Sequence, residues 1–309
     1  MLKSPESFVH EHEGVIVARP TFGITLFSNE PISEFSDGVL RAFDRYRALV
    51  GDDALRFYST ATMQKHRKVT KRALSMLSDW FGPEAPPSES YGIEFIDADV
   101  FNEAPKSRFA IFGVEGVWNA EEVEVKTASL LRLVLPVSWG ERTDEALALA
   151  EELCGMLPFQ SGQAGYALEH SRYFVEAAHE FAIPKSMRHP GFDVHNQTGL
   201  EGNAVGWTRV RSVGWLTMLC DAFVAELGGP PTLEHGSVST VPGGIILRAG
   251  AAPAVGDVNR KDDLPAYREV YAYIEPLARE MPEKAPWFSF FRTAGSDDRT
   301  EAWYRRFEP

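Results

Sequence analysis

Histidines, carboxylates and two cysteines are the side chains in this sequence whose spacing could support chemistry. His10-Glu11-His12-Glu13 has the composition of a metal site, but its histidines stand two apart, a spacing that shares no helical face. Residues 1–14 read as a frayed polar tail, which leaves that grouping solvated. His170, His179, His189 and His195 lie within 26 residues, yet the first pair is nine apart where helical ligation wants four. His189, Asp193 and His195 are close enough for a loop metal site, and locally hydrogen-bonded histidines are the plainer alternative. Asp257, Asn259, Asp262 and Asp263 form an oxygen-rich run. A calcium loop would place glycine sixth and glutamate twelfth, where Asp262 and Arg268 stand instead. Asp257 and Asn259 are therefore expected to hold a turn, and Asp263 to cap a helix that starts at Pro265. An enzyme of unknown reaction would have to draw on Asp257, Asn259, Arg260 and His195. Cys154 and Cys220 read as small core residues, too few for a disulfide framework. There is no C-x-x-C, phosphate loop, dinucleotide fingerprint or Gly-x-Ser-x-Gly elbow. No metal and no cofactor are expected.

Charge narrows the partners. The chain of 309 residues carries 31 Lys and Arg against 44 Asp and Glu, a net charge of −13. That balance repels phosphate backbones, so direct nucleic-acid binding is disfavoured and a basic protein surface is favoured. The N-terminus lacks the apolar run of a signal peptide, and the greasiest stretch, 128–139, is broken by Arg132 and Pro136. A cytoplasmic protein without a membrane segment is expected.

These residues must be positioned by a mixture of strands and helices. Phe22, Ile24 and Leu26 alternate within a strand at 15–27. Ile32, Phe35, Val39, Phe43, Tyr46 and Val50 form the stripe of a helix opened by Glu30-Pro31 and stopped by Gly51. Strands are expected at 54–60, 91–96, 108–117, 128–137, 162–168 and 208–216, with a strand or hairpin in 236–247. Helices are expected at 70–81, at 143–157 with Thr143 as cap, and at 171–183 with a Ser171 cap and Pro184 as terminator. Others follow at 219–227, at 265–281 with a kink or split at Pro276, and at 299–307. Strands neighbour strands too often for regular βαβ winding. The pattern predicts an α+β fold, a mixed or antiparallel sheet with helices packed on it. A loose strand–helix–strand–helix echo, 15–81 and again 128–183, suggests two similar lobes, 15–125 and 126–309, or one continuous domain.

The C-terminal half carries an ordered set of short motifs. They are Val213-Gly214-Trp215-Leu216-Thr217-Met218-Leu219, Leu227-Gly228-Gly229, Gly243-Gly244-Ile245-Ile246-Leu247-Arg248-Ala249-Gly250, Pro253-Ala254-Val255-Gly256-Asp257-Val258-Asn259-Arg260, Pro265-Ala266-Tyr267-Arg268 and Trp303-Tyr304-Arg305-Arg306-Phe307. Together they resemble a bacterial family long catalogued as a domain of unknown function and now described as type VI secretion immunity proteins. The resemblance runs from about residue 15 to the end. Tyr304 and Glu308 stand where the family pattern has leucine and aspartate. The resemblance implies an immunity protein that neutralises a cognate effector toxin, often a nuclease working in the cytoplasm, by covering its active surface.

The motif residues themselves look structural: glycines for turns, and Arg260, Arg268, Arg305 and Arg306 available to tie the C-terminus to nearby aspartates. The partner-binding surface is therefore expected elsewhere. The candidate is the acidic stretch Asp97, Asp99, Glu103, Glu115, Glu121, Glu122 and Glu124, with Trp118 as its anchor.

Overall fold

Phe22, Ile24 and Leu26 point to one side of a long strand while Thr21, Gly23 and Thr25 point to the other, so both faces of the sheet must be covered. The computed structural model describes residues 4–82, 90–114, 118–120, 123–125, 129–194, 210–278 and 302–308. In chain order the elements are β1 (His10–His12), β2 (Val15–Ser28), α1 (Ser36–Val50), β3 (Phe57–Thr60), β4 (Arg67–Lys68) and α2 (Lys71–Trp80). Then come β5 (Ser90–Asp97), β6 (Ser107–Val114), β7 (Trp118–Ala120), β8 (Val123–Val125), β9 (Ser129–Pro136) and α3 (Thr143–Met156). β10 (Ser161–His170), α4 (Val175–Arg188), β11 (Asp193–Val194), β12 (Leu216–Cys220) and α5 (Asp221–Glu226) follow. β13 (Ser237–Val241), β14 (Gly244–Arg248) and α6 (Pro265–Ala278) complete the set, with one helical turn at 302–304.

One open sheet of twelve strands runs β13-β14-β12-β10-β2-β9-β6-β5-β3-β4, with β1 added on β2 and β11 on β10. Every pairing in it is antiparallel except β10 with β11. The expected α+β class is the one observed. β2, the first strand of the 15–125 half, sits between β9 and β10 of the other half. β9, the first strand of the C-terminal half, sits between β2 and β6. Each half thus lends its first strand to the other, and the sheet continues across the 125/126 boundary.

The apolar face packs on helices. Val39, Phe43 and Tyr46 of α1, Leu149 and Leu153 of α3, and Val270, Ile274 and Leu277 of α6 are buried in one core with Phe22, Ile24, Leu133 and Phe109 of the sheet. α1 and α3 pack so closely that a side chain on Gly38 would collide with the Met156 carbonyl oxygen. α2 begins at a Thr70 cap whose Oγ1 accepts the Ala73 N–H at 3.2 Å.

Several local expectations are corrected. Within the described part of the tail, residues 4–14, β1 pairs with β2 and Phe8 is buried against Phe192, where a frayed segment was expected. α4 starts at Val175, four residues later than expected, and runs through Pro184 to Arg188. Ser171 instead donates to the Asn102 carbonyl and accepts the Tyr173 N–H. The strand expected at 208–216 lies at Leu216–Cys220, where β10 and β14 supply ladders on both sides. α6 runs through Pro276 as far as Ala278. α3 has Arg142, not Thr143, at its cap position, and no side chain bonds there.

Candidate interaction surface

The face of the sheet opposite the apolar core is built from polar residues in register. Ser59, Glu94, Ala110, Arg132, Thr25, Gln163 and Thr217 form one row across β3, β5, β6, β9, β2, β10 and β12. Arg132 is fully buried. It donates to the Glu169 carboxylate at 2.6 Å and to Thr25 Oγ1 at 2.7 Å, and stands 3.6 Å from Asp193. Gly23 leaves room beneath it, since a Cβ there would meet Arg132 Nη2 tightly, at 3.3 Å. Arg108 lies 3.2 Å from Glu169 and 3.4 Å from Glu94. Arg211 donates to Asp193 at 2.8 Å and to the Val194 carbonyl at 2.7 Å. At the far end Glu94 also meets His66 at 2.9 Å and Arg172 at 3.1 Å.

These charges pair with one another, although Glu169 Oε2 and Arg108 Nε find no hydrogen-bond partner among the described residues. Burial pushes the Glu94 carboxyl up, but Arg108, His66 and Arg172 outweigh it and hold it at about 2. Asp193 is likewise held below the usual carboxylate range by Arg211 and Arg132 against the pull of burial. A carboxylate so clamped neither accepts nor releases a proton near neutral pH. The network is a cross-sheet brace. Asp193, a candidate metal ligand by its spacing from His189 and His195, instead pairs with Arg211 and Arg132; no short-range pattern joins the other residues, whose one signal is Arg132 interrupting a strand.

The acidic stretch divides. Asp99 is exposed and takes Lys106 Nζ at 2.8 Å and Arg56 at 2.9 Å, which together lower its pKa. Asp97 is half-buried, 3.5 Å from Arg56, and desolvation raises its pKa. Glu103 is buried: its carboxylate pairs with Arg19 and accepts the Asp99 N–H at 3.0 Å, so it braces the 98–106 loop. Trp118 and Glu124 lie on β7 and β8, which pair with each other as a ribbon separate from the main sheet. Glu115, Glu121 and Glu122 lie outside the described residues. What the sequence reading missed is that the same loop exposes Val100 and Phe101, two of the four large apolar side chains exposed among the described residues. Phe101 rests edge-on against Tyr173 at 5.2 Å.

The residues of the alternative enzyme site are engaged in structure. Asp257 is buried and forms a two-point pair with Arg188 at 2.9 and 2.8 Å. It also accepts the Asn259 N–H at 3.1 Å, closing the expected turn, and Arg260 stands 3.6 Å away. The Arg188 bonds, above all, hold its carboxyl at about 2. His195 lies outside the described residues. His189 Nδ1 donates to the Gly256 carbonyl at 2.6 Å. His170 and His179 meet at 3.3 Å, and burial pushes the His170 pKa well below its ordinary value. The Cys154 thiol is pushed up to about 12 by burial, so it is no nucleophile at neutral pH. Among the described residues no group of three or more His, Cys, Asp or Glu could hold a metal ion. No helix among them is long and apolar enough to cross a membrane.

The C-terminal arginines tie down the chain end mainly through carbonyls. Arg268 donates to the carbonyls of Phe307 and Glu308 and stands 3.6 Å from Asp263. Arg306 lies over the Trp303 and Phe307 rings, at 3.7 and 4.6 Å, and donates to the Pro190 carbonyl at 2.8 Å.

A family model described as TsiV, type VI immunity for VRR-NUC, matches residues 38–307. Among solved structures, the Pseudomonas aeruginosa T6SS protein PA0821 is similar with a TM-score of 0.76 at 19% sequence identity, covering 98% of this chain and 88% of that one. That likeness establishes a shared fold. No curated protein matches.

Proposed function

We infer, from the premise that this chain belongs to the TsiV family of type VI immunity proteins for VRR-NUC, that it binds a cognate effector and covers that effector's working surface. The observation that carries the reading is the family match, which spans all but the ends of the chain. Electrostatics supports it. A nuclease needs a basic groove for its phosphates, and a chain of net charge −13 is attracted to such a groove. The internal pairing of the buried carboxylates supports a binding role rather than turnover. The contact surface in this reading combines the 98–106 loop and the β7–β8 ribbon. Asp97, Asp99, Trp118, Glu124 and the neighbouring Glu115, Glu121 and Glu122 meet the effector; Val100 and Phe101 anchor it, and Glu103 braces the loop from within. The site of action is the cytoplasm, where a nuclease effector finds nucleic acid.

Co-expression tests this. Cells producing a VRR-NUC effector that this chain recognises should survive when this chain is also produced, and the two proteins should co-purify. Continued killing at full expression, with no complex recovered, would sink the reading.

A further inference from the structure

The acidic chain carries one concentrated strip of opposite charge. Lys65, Arg67, Lys68, Lys71 and Arg72 fall within eight residues, spanning the β3–β4 turn, the edge strand β4 and the first turn of α2. All five are exposed. None forms an ion pair or side-chain hydrogen bond among the described residues, although elsewhere in the molecule arginines reach carboxylates repeatedly. Subtracting the five from the net −13 leaves −18 on the rest of the chain. Holding like charges together with no counter-charge among the described residues is unfavourable, and the two in the first turn of α2 also oppose the helix dipole. Guarding a sheet edge against stray pairing calls for cations on the edge strand itself, yet β4 is only two residues long and Lys65, Lys71 and Arg72 lie outside it.

We propose that this strip is an interaction surface for a cluster of carboxylates on the effector, placed within the basic surround of its nucleic-acid groove. The proposal rests on the functional reading above and deepens it. Nucleases that use metal ions gather acidic ligands at the reacting centre, inside a groove that is otherwise positive. This molecule shows the inverse pattern: a cationic strip on a chain whose remaining charge is −18. That remaining charge also selects the partner. A long nucleic acid drawn to five cations would meet the −18 of the remaining chain, whereas a compact carboxylate cluster would not. Seated there, the strip occupies the position of the metal ions and withholds the carboxylates from them.

The test titrates purified effector, freed of divalent ions, with the wild-type chain and with a five-site variant (K65Q, R67Q, K68Q, K71Q, R72Q), and repeats both with magnesium. Every changed position is exposed, so the variant should fold, which circular dichroism checks. The variant should bind about tenfold more weakly or worse. Magnesium should weaken wild-type binding and leave the variant's binding unchanged. Equal affinities for the two proteins would overturn the proposal and leave the immunity reading standing. Oligomers formed by the variant at unchanged affinity would mark the strip as an edge guard and overturn it too. Wild-type binding to duplex DNA that the variant loses would assign the strip to nucleic acid, again overturning it. A wild-type chain that does not bind effector at all would remove the functional reading itself.

Discussion

At the residue scale, Arg132 is the most constrained side chain on the polar face. Its guanidinium is fully buried, with Glu169 and Thr25 as hydrogen-bond partners. Removing one partner of such a pair leaves the other charge buried alone. Arg132→Ala should therefore cost ~3–5 kcal/mol in urea unfolding, while Arg132→Met combined with Glu169→Leu should cost less than the single change. A single-variant loss below ~1 kcal/mol would place the charges in water instead. The titrating groups set a second prediction. Glu94 has a folded pKa of about 2 against an ordinary 4.5, so its contribution is present above the ordinary value and lost as pH falls through the folded one. Asp193 acts in the same direction. His170 is held neutral well below 6.5, so the unfolded chain takes up its proton first and stability begins to fall below that pH. Thermal midpoints should drop in two stages, the first starting below 6.5 and missing in His170→Asn, the second below about 4.5. A midpoint unchanged on acidification would contradict both.

At the element scale, the exchange of first strands decides how the chain can be divided. β2 is flanked by β9 and β10, and β9 by β2 and β6, so neither half holds a complete sheet. Fragments 1–125 and 126–309 should each lack a cooperative unfolding transition and regain one when produced together. A cooperative transition in either fragment alone would show self-sufficient lobes. The same exchange explains what could be read from the sequence. Helices with a clear stripe, such as α1 and α3, were legible to within a few residues, because their pattern is local. The start of α4 and the position of β12 were not. Pro184 reads as a terminator from local rules, yet the helix passes through it with Ala182 and Ile183 buried in a core with Leu168. β12 is fixed by its neighbours β10 and β14, which no local pattern names. The polar row was hidden for the same reason: Glu94, Arg132, Glu169 and Arg211 are brought together by strand order, not by spacing. The candidate contact loop was half legible. Its acids stood out, but only burial separates Asp99, which faces solvent, from Glu103, which holds the loop.

At the scale of the whole molecule, the proposed covering of a partner is supported by charge and family membership. A surface of net charge −13 speeds encounter with a basic groove, and that acceleration fades as salt screens it. Occlusion and enzymatic inactivation differ in stoichiometry. The deciding measurement titrates this protein into a fixed amount of active effector and follows nuclease activity together with complex formation. Activity should fall linearly and vanish at about one equivalent, with weaker binding at higher salt. Loss of activity at a small fraction of an equivalent, or full activity in a saturated complex, would contradict the account.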